Sequence, residues 1–208
     1  MGSVLACLTG PVSAQTEGLR ELEAFLSAVQ QGRAAFTQTV TAPVRDGEPV
    51  ARTRTSRGEF EFLRPDRFRF RYTEPFEQVI VADGQTLWLY DPDLNQVTAR
   101  RQAEVLANTP AALLAAAPDL RAVRRAFTLS AGESRDGLNW VEAVPVARDG
   151  QVQRIRIGFR QGQLEVLDIL DSFGQRSIMR FGPLDRSTQF TAAHFRFQPP
   201  AGAEVLRQ

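Results

Sequence analysis

Between Phe60 and Tyr72 the side chains alternate. In FEFLRPDRFRFRY, Phe60 and Phe62 share one parity, Phe68, Phe70 and Tyr72 share one parity, and Glu61, Arg67, Arg69 and Arg71 fill the places between. Successive side chains of a β-strand point to opposite faces, so this period of two describes two strands with an aromatic wall on one face and charges on the other. Arg64-Pro65-Asp66 between them reads as a turn, because the residue before a proline is driven out of the helical region. Such a wall needs apolar cover. Helices of the chain can supply it as core, or an apolar ligand can.

The alternation continues along the chain. Segments rich in β-branched and aromatic residues recur at 34–42, 51–63, 67–73, 78–83, 85–91 and 96–101, and again between 127 and 182. Asp-Gly pairs punctuate them at Asp46-Gly47, Asp83-Gly84, Asp136-Gly137 and Asp149-Gly150. Both residues tolerate positive φ, so Asp-Gly between alternating runs signals a hairpin. The pattern predicts an antiparallel meander of about eleven strands rather than parallel βαβ units.

Two helical stretches interrupt the strands. Leu19, Leu22, Phe25, Leu26 and Val29 recur at helical spacing, which predicts an amphipathic helix. Thr16 is placed to cap its start and Gly32 to stop it. In the middle, Asn108 or Thr109 offers a cap ahead of Pro110, and Pro118 ends that helix and can open another. With 208 residues and no repeat or linker, the chain reads as one domain. The expected fold class is α+β: an incomplete, half-open antiparallel β-barrel whose concave face is covered by a helical lid.

Residues 1–14 read as the remnant of a secretory signal peptide, with Val12-Ser13-Ala14 as a small-residue cleavage site before Gln15, and residues 15–208 as the mature domain. Cys7, the one cysteine, lies in that leader, so no disulfide is expected. The net charge of +1 argues against a nucleic-acid footprint. Arginines and aromatics on opposite faces read as a solvated arginine surface, not a base-stacking platform. His194 is the only histidine, which removes any histidine-based metal cluster. No nucleophile elbow, phosphate-binding glycine loop or dinucleotide fingerprint appears. No metal, cofactor or enzymatic activity is expected.

Several segments, taken together, resemble a known family. AAFTQTV, GEFEFLRPDRFRFRY, VADGQTLWLYDPDLNQVTAR, NTPAALLA and HFRFQPPAG stand in the order and spacing of LolA, the periplasmic carrier of outer-membrane lipoproteins, over roughly residues 19 to 205. The resemblance implies a half-barrel whose cavity shelters the acyl chains of triacylated lipoproteins. It implies the inner-membrane ABC transporter LolCDE as donor and the receptor LolB as acceptor, with a monomeric carrier in the periplasm touching membrane only transiently. On the matching positions, Phe60, Phe62, Phe68, Phe70, Tyr72 and Trp88 are expected at the acyl-chain cavity. Arg64, of the Arg-Pro turn, is expected to latch the lid by bonding backbone oxygens within 113–116, with Leu113, Leu114 and Ala115 in the lid itself. Phe76 is the expected membrane or partner contact. The alternative function on the same scaffold is a lipid- or lipoprotein-sensing regulatory module.

Overall fold

The computed structural model describes residues 17–44, 50–106, 117–147 and 150–208. The candidate leader, Thr16, the Asp46-Gly47 pair and the expected lid residues Leu113, Leu114 and Ala115 lie outside these residues.

Helix α1, Glu17–Ala28, opens the described chain. Six strands follow: β1 Gln31–Thr41, β2 Thr53–Leu63, β3 Arg67–Glu74, β4 Gln78–Asp83, β5 Thr86–Asp91 and β6 Gln96–Arg101. Short helices α2, Gln102–Leu106, and α3, Leu120–Ala126, flank the middle of the chain. Five strands come next: β7 Phe127–Ala131, β8 Asn139–Pro145, β9 Val152–Arg160, β10 Gln163–Asp171 and β11 Arg176–Phe181. A 3-10 turn, Ala192–Phe195, and β12, Glu204–Arg207, complete the order. All strands join one sheet in the order β12-β6-β5-β4-β3-β2-β1-β11-β10-β9-β8-β7, open between β12 and β7. Neighbours are antiparallel, except β12, which lies parallel to β6. This twelfth strand is too short to announce itself in the sequence, and it covers an edge that would otherwise expose unpaired backbone groups.

The Asp-Gly turns have the backbone that their residues permit. Asp136 and Gly137 take φ of 55° and 73° between β7 and β8, and Gly84 takes 102° between β4 and β5. Asp83 fastens the latter turn, its Oδ1 accepting from the backbone N–H of Gln85 and Thr86. Helix α3 begins after Pro118 as expected, but Asp119 is its cap, accepting from the N–H of Ala122 at 2.7 Å. Gly32 is not a helix stop. It sits in β1 opposite Phe62, where a Cβ would approach the Leu184 side chain to 2.8 Å. It faces the crowded concave side, where a Cβ would require the Leu184 side chain to shift.

Helix α1 lies on the concave face over β7 to β10. Its stripe of Leu22, Phe25 and Leu26 is buried, as is Val29 just past its end, and Phe25 meets Phe62 and Phe159 with ring centroids 6.5 and 5.9 Å away. Glu21 shares this stripe. Its carboxylate accepts from the Gly162 N–H at 2.8 Å and from Asn139 Nδ2 at 3.1 Å, tying the helix to β8 and to the turn between β9 and β10. Gly18 allows the close approach: a Cβ there would stand 2.6 Å from the Trp140 carbonyl oxygen.

Candidate functional site: an aromatic-lined hollow and its latch

Strand register assembles the aromatic wall. Phe60 pairs with Phe70 and Phe62 with Phe68 across β2 and β3, so four rings share the concave face. Phe60 stacks on Phe70 at 4.4 Å and on Phe62 at 5.5 Å. Phe36 of β1 presents its edge to Tyr72 at 5.0 Å and to Phe70 at 5.6 Å. Offset and edge-on aromatic pairs add about 0.5–1.5 kcal/mol each beyond their buried area, which makes this wall a rigid surface.

The wall serves two hollows. Phe60 and Phe62 border a cavity of about 130 Å³ beside Phe25 of α1 and Val29 just past its end. Phe68, Phe70 and Tyr72 line a groove of about 540 Å³, with Ile80, Leu87 and Leu89 on one side and Ile169 and Met179 on the other. Ile80, Leu87, Leu89 and Ile169 are only half-buried, although each faces the concave side. This groove lies within the roughly 300–1,000 Å³ of ligand sites, and its lining of aromatic and aliphatic side chains suits an apolar guest.

Trp88 does not line the groove. It pairs with Val81 and Ala99 on the convex face, donates from Nε1 to Asp83 Oδ2 at 2.8 Å, and packs on Phe197 at 5.6 Å. The expectation fails because Leu87-Trp88-Leu89-Tyr90 is apolar at both parities. Period two cannot tell which face is concave when both are covered.

The convex cover comes from the C-terminal segment. Phe195 is fully buried there. His194 Nε2 lies 2.9 Å from Glu61 Oε2, and Arg69 Nη2 donates to the His194 backbone oxygen. The arginine face is therefore solvated only in part: Arg71 is exposed beside Glu59, whereas Arg69 and Glu61 lie beneath this strap. The sequence offered no local sign of it, since the contacts join residues more than 120 positions apart.

Arg64 follows β2 directly and turns inward. Its side chain is nearly inaccessible, at 6% exposure. Nε donates to the Val29 carbonyl oxygen at 2.8 Å and Nη1 to that of Ala117 at 2.6 Å. The guanidinium also stands 5.2 Å from the Phe62 ring centroid and 5.5 Å from that of Phe25. Burial lowers its pKa to about 10, still far above neutrality, so it stays a cation. One side chain thus joins the exit of α1, the end of β2 and the residue that immediately follows 107–116. Val29 was absent from the sequence-based expectation, which looked only to the lid.

Phe76 is exposed in the turn between β3 and β4, with Arg54 Cζ 5.5 Å from its ring centroid. Val50, Leu94, Val146 and Phe173 are likewise exposed. All five belong to connections at one rim of the sheet. Phe173 borders the groove, and Phe76 borders a neighbouring, more polar hollow of about 630 Å³.

An open half-barrel with an apolar, aromatic-floored groove belongs to the class of proteins able to bind an apolar guest. The match to known proteins narrows the class. The family model described as outer membrane lipoprotein carrier protein LolA matches residues 27–198, and the chain belongs to that family. Its relatives include three proteins named outer-membrane lipoprotein carrier protein. The one from Albidiferax ferrireducens is 56% identical over 195 residues, covering 92% of this chain and 91% of the relative. That from Leptothrix cholodnii is 48% identical over 207 residues, covering 99% and 93%. That from Methylibium petroleiphilum is 46% identical over 196 residues, covering 94% and 92%.

Proposed function

We propose that this protein carries lipoproteins to the outer membrane through the periplasm, sheltering their acyl chains on the concave face of the sheet. The observation that carries the reading is the half-buried apolar groove over Phe68 and Phe70 in a member of the LolA family. Exposing an acyl chain to water costs about 0.8 kcal/mol per CH₂. A chain of ordinary length crosses an aqueous gap only inside such a shelter. No helix among the described residues is long and apolar enough to cross a membrane.

In this reading the mature domain, residues 15–208, acts as a monomer and performs no catalysis. The cargo is a triacylated lipoprotein, received from the LolCDE transporter and passed to the LolB receptor. Arg64 acts as the latch by holding the chain at Ala117, and the expected lid residues Leu113, Leu114 and Ala115 lie outside the described residues. Phe60, Phe62, Phe68, Phe70 and Tyr72 form the floor that acyl chains meet. The exposed rim around Phe76 is the surface that touches membrane or partner at loading and delivery. A ligand shifts such a protein between closed and open states only by binding them differently, so a weakened latch favours the loaded form.

Native mass spectrometry of the mature protein, recovered from a periplasm exporting lipoproteins, tests this. A one-to-one complex with a triacylated lipoprotein, enriched in Arg64→Leu because that variant releases cargo poorly, is the expected result. Phospholipid alone, equal in both proteins, would refute the carrier reading; normal delivery by Arg64→Leu would refute the latch.

A further inference from the structure

The aromatic wall ends in a chain of hydrogen-bonded polar side chains. Gln38 of β1 has the inward parity of Ala34, Phe36 and Val40, so it points to the concave side. Gly58 lies between Tyr72 and Phe36 in the ladder and carries no side chain, which lets Tyr72 reach across β2 toward β1. The Tyr72 hydroxyl donates to Gln38 Oε1 at 2.9 Å, and Gln38 Nε2 donates to Ser177 Oγ at 2.8 Å. Three side chains from β3, β1 and β11 thereby form one hydrogen-bonded line across the concave face. Burial raises the Tyr72 pKa to about 12, so its hydroxyl remains a donor at any ordinary pH.

The line has spare capacity. A glutamine amide offers two hydrogens and a hydroxyl offers one. Among the described residues, the second Gln38 amide hydrogen and the Ser177 hydroxyl hydrogen have no acceptor. Polar groups on an apolar surface are unfavourable unless they are bonded. Here they face a hollow rather than the packed core.

Their place matters as much as their chemistry. Gln38, Tyr72 and Ser177 all border the apolar groove of about 540 Å³. Gln38 and Tyr72 also border the adjoining hollow of about 630 Å³, whose other walls include Arg52, Arg54, Asp91 and Asp93. The line therefore marks the boundary between an apolar floor and a polar vestibule. A ligand lying across it needs hydrocarbon on one side, polar groups on the other, and hydrogen-bond acceptors where they join.

The geometry points to Gln38, Tyr72 and Ser177 as a recognition step for the carbonyl oxygens that link acyl chains to a polar head, as in an acyl ester or amide. The inference rests on the acyl-carrier reading and deepens it: the site reads the linkage as well as the hydrocarbon. Tyr72 orients the Gln38 amide by fixing its oxygen. The free amide hydrogen and the Ser177 hydroxyl then donate to the linkage carbonyls, and the tails lie toward Phe68 and Phe70.

The test uses a pair of synthetic lipopeptides with the same peptide and chain lengths. One carries its two glyceryl chains by ester links, the other by ether links that lack the carbonyls. Affinities are measured by titration calorimetry with the full mature chain. The ester twin is expected to bind about tenfold more tightly, a difference of the size of one hydrogen bond. Gln38→Leu is expected to bring the twins within about twofold of each other by weakening the ester twin alone. Ser177→Ala and Tyr72→Phe, which delete single hydroxyls, are expected to reduce the preference partway and serve if Gln38→Leu fails to fold. Equal binding of the twins by the unaltered protein would overturn this inference and leave the carrier reading standing. Undiminished preference in all three variants would also overturn it. Binding of neither twin would overturn the carrier reading and this inference together.

Discussion

Replacing Arg64 by leucine removes a cation, two described hydrogen bonds and two ring contacts at once, and the terms oppose each other. The variant leaves the carbonyls of Val29 and Ala117 without the donors that now stand 2.8 and 2.6 Å away. Each buried acceptor left unbonded costs about 1–3 kcal/mol, so together they cost about 2–6 kcal/mol. Losing the cation from above Phe25 and Phe62 adds about 0.5–1 kcal/mol for each ring. Against this stands relief of burying the charge. A pKa brought down to about 10 corresponds to a penalty on the order of 3 kcal/mol. Leucine recovers it and packs well among the phenylalanines. These terms leave a net destabilisation of about 0–5 kcal/mol, centred on about 2.5 kcal/mol, and that central value is roughly 5–10 °C in Tm for a chain of this size. Urea unfolding of the cargo-free protein measures it. A midpoint equal to or above that of the unaltered protein would show that Arg64 does not hold these segments together. Arg64→Lys sharpens the test: it keeps the charge but cannot donate to both carbonyls from a planar fork, so it is expected to be no more stable than Arg64→Leu.

Glu21→Ala removes the acceptor shared by Gly162 and Asn139 and is expected to cost about 2–3 kcal/mol in urea unfolding; a loss under half of that would mean that the helix is held by its apolar stripe alone. The Asp185 carboxylate is held at a pKa of about 2 by the Ser187 hydroxyl and backbone N–H, with Thr188 and Arg33 also donating to it. Its folded pKa lies below the unfolded value of about 3.9, so its contribution is full above that value and disappears as pH falls through about 2. The stability gap between the unaltered protein and Asp185→Asn should therefore be constant from pH 7 to 5 and shrink between pH 4 and 2; a gap that widened on acidification would contradict this. Phe76→Glu places a charge on the exposed rim and is expected to leave Tm within about 2 °C while reducing liposome association severalfold. Unchanged association and delivery would remove Phe76 from the contact surface.

Much of the hollow was legible because it is written in local periodicity. Phe60, Phe62, Phe68, Phe70 and Tyr72 alternate with charges, so each has one reading of parity, and the strand register brings them together as expected. Trp88 lay in a strand with apolar side chains at both parities, and its burial is decided by Phe197, more than 100 positions away. Arg64 was flagged by its turn and by resemblance. Neither could show that Val29 would become its partner, since that depends on where α1 ends relative to β2. Gln38 was not singled out in the sequence, because its link to Tyr72 requires β3 to reach β1 across Gly58.

The sequence by itself determined eleven of the twelve strands, the Asp-Gly turns described between them, the amphipathic face of α1 and the aromatic side of β2 and β3. These follow from interactions between residues near in the chain: alternation, positive-φ turns and helical spacing. The tertiary structure alone decided which face became concave, which aromatics line a groove rather than a core, and which carbonyls Arg64 bridges. Those outcomes depend on the closing of a twisted sheet and the docking of α1 and the C-terminal segment on its two faces. Contacts of that range are set by packing volume and hydrogen-bond satisfaction over the whole molecule, and no local window of residues contains them.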